Sequence, residues 1–83
     1  MNARAIRQVR IWKEFISGVT RENMVERAHW FAEQGHDTFE NTATRIGIAL
    51  AGCWFKNEKG KPIFDCSKLA EADAIRDQIL ATK

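Results

Sequence analysis

Residues Asp37 to Phe64, DTFENTATRIGIALAGCWFKNEKGKPIF, constrain the fold of this chain more than any other stretch. The reading is one long helix rich in small residues, then a polar turn and a short extended piece. Asp37 has the chemistry of an N-cap and Glu40 follows at the spacing of a capping box. Phe39, Ala43, Ile46, Leu50 and then Cys53 or Trp54 recur at steps of three and four, which gives one apolar face. Ala43, Gly47 and Ala51 form a second stripe at steps of four. Gly47 and Gly52 inside a helix each cost about 1 kcal/mol relative to alanine. A helix tolerates that cost when another backbone must come close, so the spacing predicts a central helix, from about Thr38 to about Phe55, with the others arranged around it.

The flanking sequence supplies those other helices. Residues 3 to 17 carry Ile6, Val9, Trp12 or Lys13, and Ile16 at helical spacing, with Phe15 and Val19 widening the apolar side and Gly18 as the terminator. Thr20 is the expected cap of a second helix with Glu22 in its first turn. Met24, Ala28 and Phe31 form its buried stripe, Val25 and Ala32 flank it, Trp30 falls off it, and Gly35 closes it. After the central helix, Lys56 to Lys61 is polar and reads as a turn. Trp54 and Phe55 before it and Ile63 and Phe64 after it are placed to pair as a minimal hairpin, with Pro62 restricting any strand there to an edge. Asp65 or Ser67 caps a last helix with Leu69, Ala72, Ile75 or Arg76, and Ile79 on one face; a second cap at Asp73 would divide it. The expected fold is mostly all-α: one domain over residues 1–83, a small bundle of four to five helices with a hairpin-like turn near residues 55–64.

Eighty-three residues lie near the lower limit for a self-sufficient core, so self-association or a partner is expected on size alone. The chain carries a net charge of +2, but Arg4, Arg7, Arg10 and Lys13 crowd positive charge into the first thirteen residues, which hold no acid. That segment can meet nucleic acid, an acidic partner or an acidic patch on a sister subunit. No run of residues reads as a signal peptide or a membrane span. Cys53 and Cys66 read as reduced, mostly buried thiols, which implies a cytoplasmic protein.

Chemistry-bearing patterns are sparse. His29, His36, Cys53 and Cys66 match no zinc spacing, so no metal or other cofactor is expected. The acids are spread along helix faces, and no phosphate loop, nucleophile elbow or triad is present, so the chain does not read as an enzyme. Helix 1, Gly18 and helix 2 resemble a helix-turn-helix, but Glu22, Glu26 and Glu33 line the element that would enter an anionic groove. A small helical DNA-binding regulator with a basic N-terminal helix is therefore the alternative reading, and nucleic acid is not the expected partner. Three tryptophans in a core this small cannot all be buried, and exposed tryptophan anchors partner surfaces.

One resemblance gives these features a direction. Ala49 to Phe55, then Asn57-Glu58-Lys59-Gly60-Lys61-Pro62-Ile63-Phe64-Asp65, then Ile75 to Leu80 together resemble the tail assembly chaperones of long-tailed bacteriophages, over roughly the last forty residues. The resemblance implies a non-catalytic protein that coats the long helical tape measure protein during tail morphogenesis, self-associates into a homo-oligomer, and works in the host cytoplasm without a membrane or cofactor. It also implies that a longer, frameshifted form accompanies such proteins. On this reading the residues placed to bind partners are Trp12, Phe15, Trp30, Trp54, Phe55 and Phe64 by apolar contact, and Arg4, Arg7, Arg10 and Lys13 by charge.

Overall fold

A computed structural model describes residues 3–83, with side chains from Arg10 onward. The side chains of Ile6 and Val9 of the expected apolar face, and those of Arg4 and Arg7, lie outside what is described. The chain folds into four helices and one hairpin: α1 (Ala3–Ser17), α2 (Met24–Glu33), α3 (Phe39–Ala51), β1 (Trp54–Lys56), β2 (Pro62–Phe64), a single 3-10 turn at Cys66–Lys68, and α4 (Leu69–Leu80). The mostly helical class and the hairpin agree with the sequence reading.

α3 is the central element, packed chiefly against α4 and also against α2. Its small-residue stripe explains the first contact. Ala43, Gly47 and Ala51 are all buried. A Cβ added at Gly47 would stand 2.4 Å from the Ala72 carbonyl oxygen and 3.4 Å from the Arg76 backbone nitrogen. The backbone of α4 therefore rests directly on α3 at this point, and only glycine leaves room for it. Ala72, Ile75 and Ile79 of α4 are buried, while Leu69 is largely exposed. α4 runs unbroken through Asp73, so the expected division of the last helix does not occur. Tertiary burial of Ala72 and Ile75 on both sides of Asp73 holds the helix continuous.

The core continues to α1 through aromatic contacts. Phe31 of α2 lies 4.1 Å, ring centroid to centroid, from Phe15 and 4.5 Å from Trp12. One contiguous cluster thus joins Trp12, Phe15, Phe31, Ile46, Cys53, Ile75 and Ile79. The molecule measures 39 × 34 × 17 Å, two layers of helix in its short direction, which keeps much of its surface close to the core.

Three boundaries differ from the expectation. α2 begins at Met24, four residues beyond Thr20. Thr20 does cap, but it caps a turn: its backbone N–H donates to Asn23 Oδ1 (2.7 Å), and the Asn23 N–H donates to Thr20 Oγ1 (3.3 Å). This reciprocal pair closes residues 20–23 before the helix starts, so the acid in the first turn is Glu26 rather than Glu22. At α3 the N-cap is Thr38, whose hydroxyl accepts from the Asn41 N–H at 3.1 Å. Asp37 supports it from outside, accepting from the Thr38 N–H (2.8 Å) and from Asn41 Nδ2 (3.1 Å).

The third difference is the end of α3, at Ala51 rather than Phe55. Gly52 takes φ +73° and terminates the helix, instead of lying within it. Its N–H donates to the Ala49 carbonyl and the Cys53 N–H to the Ile48 carbonyl, both at 3.2 Å. That pairing is a Schellman motif, which requires the left-handed backbone glycine adopts at little cost. The chain is turned back so that Cys53 is fully buried, and Trp54 and Phe55 leave in extended form. Of the two thiols, Cys53 is buried and Cys66 exposed, against the expectation that both are mostly buried.

Candidate functional site

An apolar concavity is built by α1, α3 and the hairpin. Trp12, Ile16, Ile48, Ala49 and Trp54 form its apolar wall, with Lys13, Ser17 and Arg45 at its rim, enclosing about 640 Å³ in an open groove. Helical spacing creates it: Trp12, Lys13 and Ile16 share one side of α1, and Arg45, Ile48 and Ala49 share one side of α3 at i, i+3 and i+4. The hairpin then brings Trp54 alongside. Among the described residues, the groove lining carries no acid, and its two charged groups, Lys13 and Arg45, are cations.

The aromatic walls are held in place. The Arg45 guanidinium lies over the Trp12 ring, 4.4 Å from its centroid. Trp54 meets Phe64 edge-on at 5.0 Å, through their pairing across the hairpin. Phe64 is half-buried and supports Trp54 from the core side, while Trp54 itself is 59% exposed. Strand alternation puts Phe55 and Ile63 on the opposite hairpin face, paired with each other and also exposed, at 48% and 38%. The hairpin therefore shows apolar side chains on both faces.

Its geometry is well determined. Asn57 Oδ1 accepts from the N–H groups of Lys59 and Lys61, both at 2.9 Å, and the Asn57 carbonyl accepts from the Gly60 N–H at 2.9 Å. Gly60 takes φ +77°, which makes Glu58-Lys59-Gly60 a three-residue hairpin loop with glycine in the left-handed position. At the base, the Asp65 N–H donates to the Cys53 carbonyl at 2.6 Å. Asp65 then anchors α4: its carboxylate accepts from the Ser67 N–H (3.0 Å) and Ser67 Oγ (2.6 Å). These bonds hold the Asp65 carboxyl below its usual range, the Ser67 hydroxyl first and the Ser67 backbone N–H second.

A second aromatic patch lies on α2. Trp30 is 43% exposed, and Arg27 is sandwiched with its guanidinium 4.8 Å from the Trp30 ring and 5.4 Å from Phe15. Arg27 Nε is buried there without a hydrogen-bond partner.

The residues singled out from sequence thus do not form one surface. Trp12, Lys13 and Trp54 meet in the groove, with Phe64 behind Trp54. Phe55 faces the other side of the hairpin, Trp30 belongs to the α2 patch, and Arg10 is exposed on α1. Phe15 is buried in the core and offers no surface, and Trp12 presents only an edge, being 7% exposed. Ile16, Arg45, Ile48 and Ala49 line the groove but were not among the predicted contacts. The only signal for Ile48 and Ala49 was that they are apolar residues of α3 outside both of its stripes; Ile16 and Arg45 had none. Among the described residues, no three His, Cys, Asp or Glu side chains converge in a metal-binding arrangement. None of the described helices is long and apolar enough to cross a membrane. No protein-family model matches the chain, and no similar curated protein or solved structure is found.

Proposed function

We propose that this chain is a non-catalytic binding protein that holds an amphipathic helical segment of another protein, in the manner of a phage tail assembly chaperone on its tape measure protein. The observation that carries the reading is the groove of Trp12, Ile16, Ile48, Ala49 and Trp54, open to solvent and rimmed by Lys13 and Arg45. An apolar channel between two helices suits the apolar stripe of a third helix. The two cations favour a segment with acids flanking that stripe. Trp54 is the anchor of this site, because a large amphipathic ring at a groove edge buries much area at little entropic cost. Self-association and a cytoplasmic setting complete the proposal.

Co-expression with a tape measure protein tests it. The native chain should keep the long helical protein in the soluble fraction, and Ala49→Glu should not, while its own melting curve stays close to the parent's, because Ala49 lines the groove from an exposed position. The complex should survive added salt, since apolar contact dominates. Binding to DNA that collapses steeply with salt, with no effect on the helical client, would overturn the reading in favour of a nucleic-acid regulator.

A further inference from the structure

The hairpin has one open edge and one closed edge, and the open one is complementary to itself. Backbone bonds at its two ends fix the ladder: Asn57 N–H donates to the Lys61 carbonyl at 3.0 Å, and Asp65 N–H to the Cys53 carbonyl at 2.6 Å. Bonded and non-bonded pairs alternate in an antiparallel ladder. With 57/61 and 53/65 bonded, the pair Phe55/Ile63 is bonded too, whereas Trp54/Phe64 and Lys56/Pro62 are not. The N–H and C=O groups of Trp54 and Lys56 therefore point outward from β1. On the other edge Pro62 occupies an outward position and has no N–H, so β2 lacks a donor where a new strand would need one. The sheet has two strands, and no other described strand pairs with β1.

We propose that β1 pairs antiparallel with β1 of a second copy about a two-fold axis at Phe55, forming a four-stranded sheet. In that register Trp54 stands opposite Lys56 of the second copy and Lys56 opposite its Trp54. Both pairs exchange two backbone hydrogen bonds, so all four outward groups of each strand are used. Trp54 and Lys56 share a sheet face, which sets each ammonium beside an indole ring. On the opposite face Ile63, Phe55 and their two symmetry mates form one apolar row, covering the side chains that the monomer leaves exposed. A two-stranded hairpin is marginal alone, and four strands are not. The contact is isologous and closes at two copies. It gives the self-association of the proposed function a surface, yet rests on the hairpin rather than on the groove.

The test is residue-resolved amide exchange on the full chain, together with sedimentation, from micromolar to millimolar concentration. Protection should rise with concentration at the Trp54 and Lys56 amides and stay constant at Phe55 and Ile63, whose donors are already paired. Phe55→Lys and Phe55→Glu should each be monomeric, because like charges meet at the axis, and an equimolar mixture should regain the dimer. Lys56→Pro, which gives β1 the same missing donor as β2, should also abolish it. A chain monomeric at every concentration overturns the proposal, as does a dimer whose Trp54 and Lys56 amides remain unprotected. If a variant unfolds, the exchange pattern of the unaltered chain decides. Client binding is scored separately with Ala49→Glu, so loss of one activity is distinguishable from loss of the other.

Discussion

The contact of α3 with α4 and the side of the molecule bearing the groove and hairpin use similar residues to opposite ends. At the helix contact, large side chains are absent where the backbones meet: Gly47 lies under Ala72, and Ile75 and Ile79 close the seam in full burial. On the hairpin side, the large residues Trp54, Phe55 and Ile63 are outermost, and no described element covers them. The first arrangement excludes water by close approach, and its energy is spent on the fold. The second leaves apolar area in water, which is unfavourable unless something else removes it. Stability should therefore be sensitive to changes at the first contact and association to changes at the second.

The largest expected effect is at the seam. Ile75→Ala removes a fully buried side chain and should destabilise the fold by about 2–5 kcal/mol, read as the shift in urea midpoint. A loss well under 1 kcal/mol would show that α4 is not held as described. Gly47→Ala sharpens the point, because two effects compete in sign. Helix propensity alone favours alanine by about 1 kcal/mol. The Ala72 carbonyl, 2.4 Å from the new Cβ, cannot yield without moving α4, an overpacking cost of about 1–3 kcal/mol. A net loss, seen as a lower melting temperature, is expected; a gain would place the α4 backbone farther away than it stands here.

The smallest effect lies at Asp65, where the two regions join. Its carboxyl is held below the usual range by Ser67, so its contribution is present above the unfolded value and lost as pH falls through the lower folded one. The Ser67 amide signal should therefore titrate with a midpoint below the ordinary aspartate value, and should be flat in Asp65→Asn. A midpoint at or above the ordinary value would show that the Asp65–Ser67 bonds do not form in solution.

Much of the helical architecture is legible in the residues. The burial of Trp12, Phe15 and Val19 on α1, the α2 stripe, the glycine at Gly35 and the small-residue stripe of α3 follow from spacing and steric size. The end of α3 is not legible by periodicity, and the reason is physical. A Schellman turn carries the residue after the glycine back toward the helix, so Cys53 continues the apolar spacing although the helix has ended. The Thr38 cap was masked by Asp37 beside it, since either side chain can accept from a first-turn N–H. The groove was missed for another reason: Ile16 lies on α1 and Ile48 on α3, and no local pattern indicates which outer faces will be neighbours. Trp54 was visible as an interaction residue because three tryptophans exceed what this core can bury. Its neighbours depended on tertiary packing.

One variant separates the two roles most directly. Trp54→Ala should be followed in parallel by thermal melting and by sedimentation with and without a helical client. Because the ring is more than half exposed, the stability change should stay within about 1 kcal/mol, a melting shift of no more than about 4–8 °C for a domain of this size. Client binding should weaken strongly, whereas pairing of β1 with a second copy should weaken less, because alanine keeps the outward N–H and C=O of residue 54 and leaves the Phe55 and Ile63 row intact. A melting shift comparable to that of Ile75→Ala, with client binding unchanged, would contradict the account and make the hairpin side part of the fold rather than its binding surface.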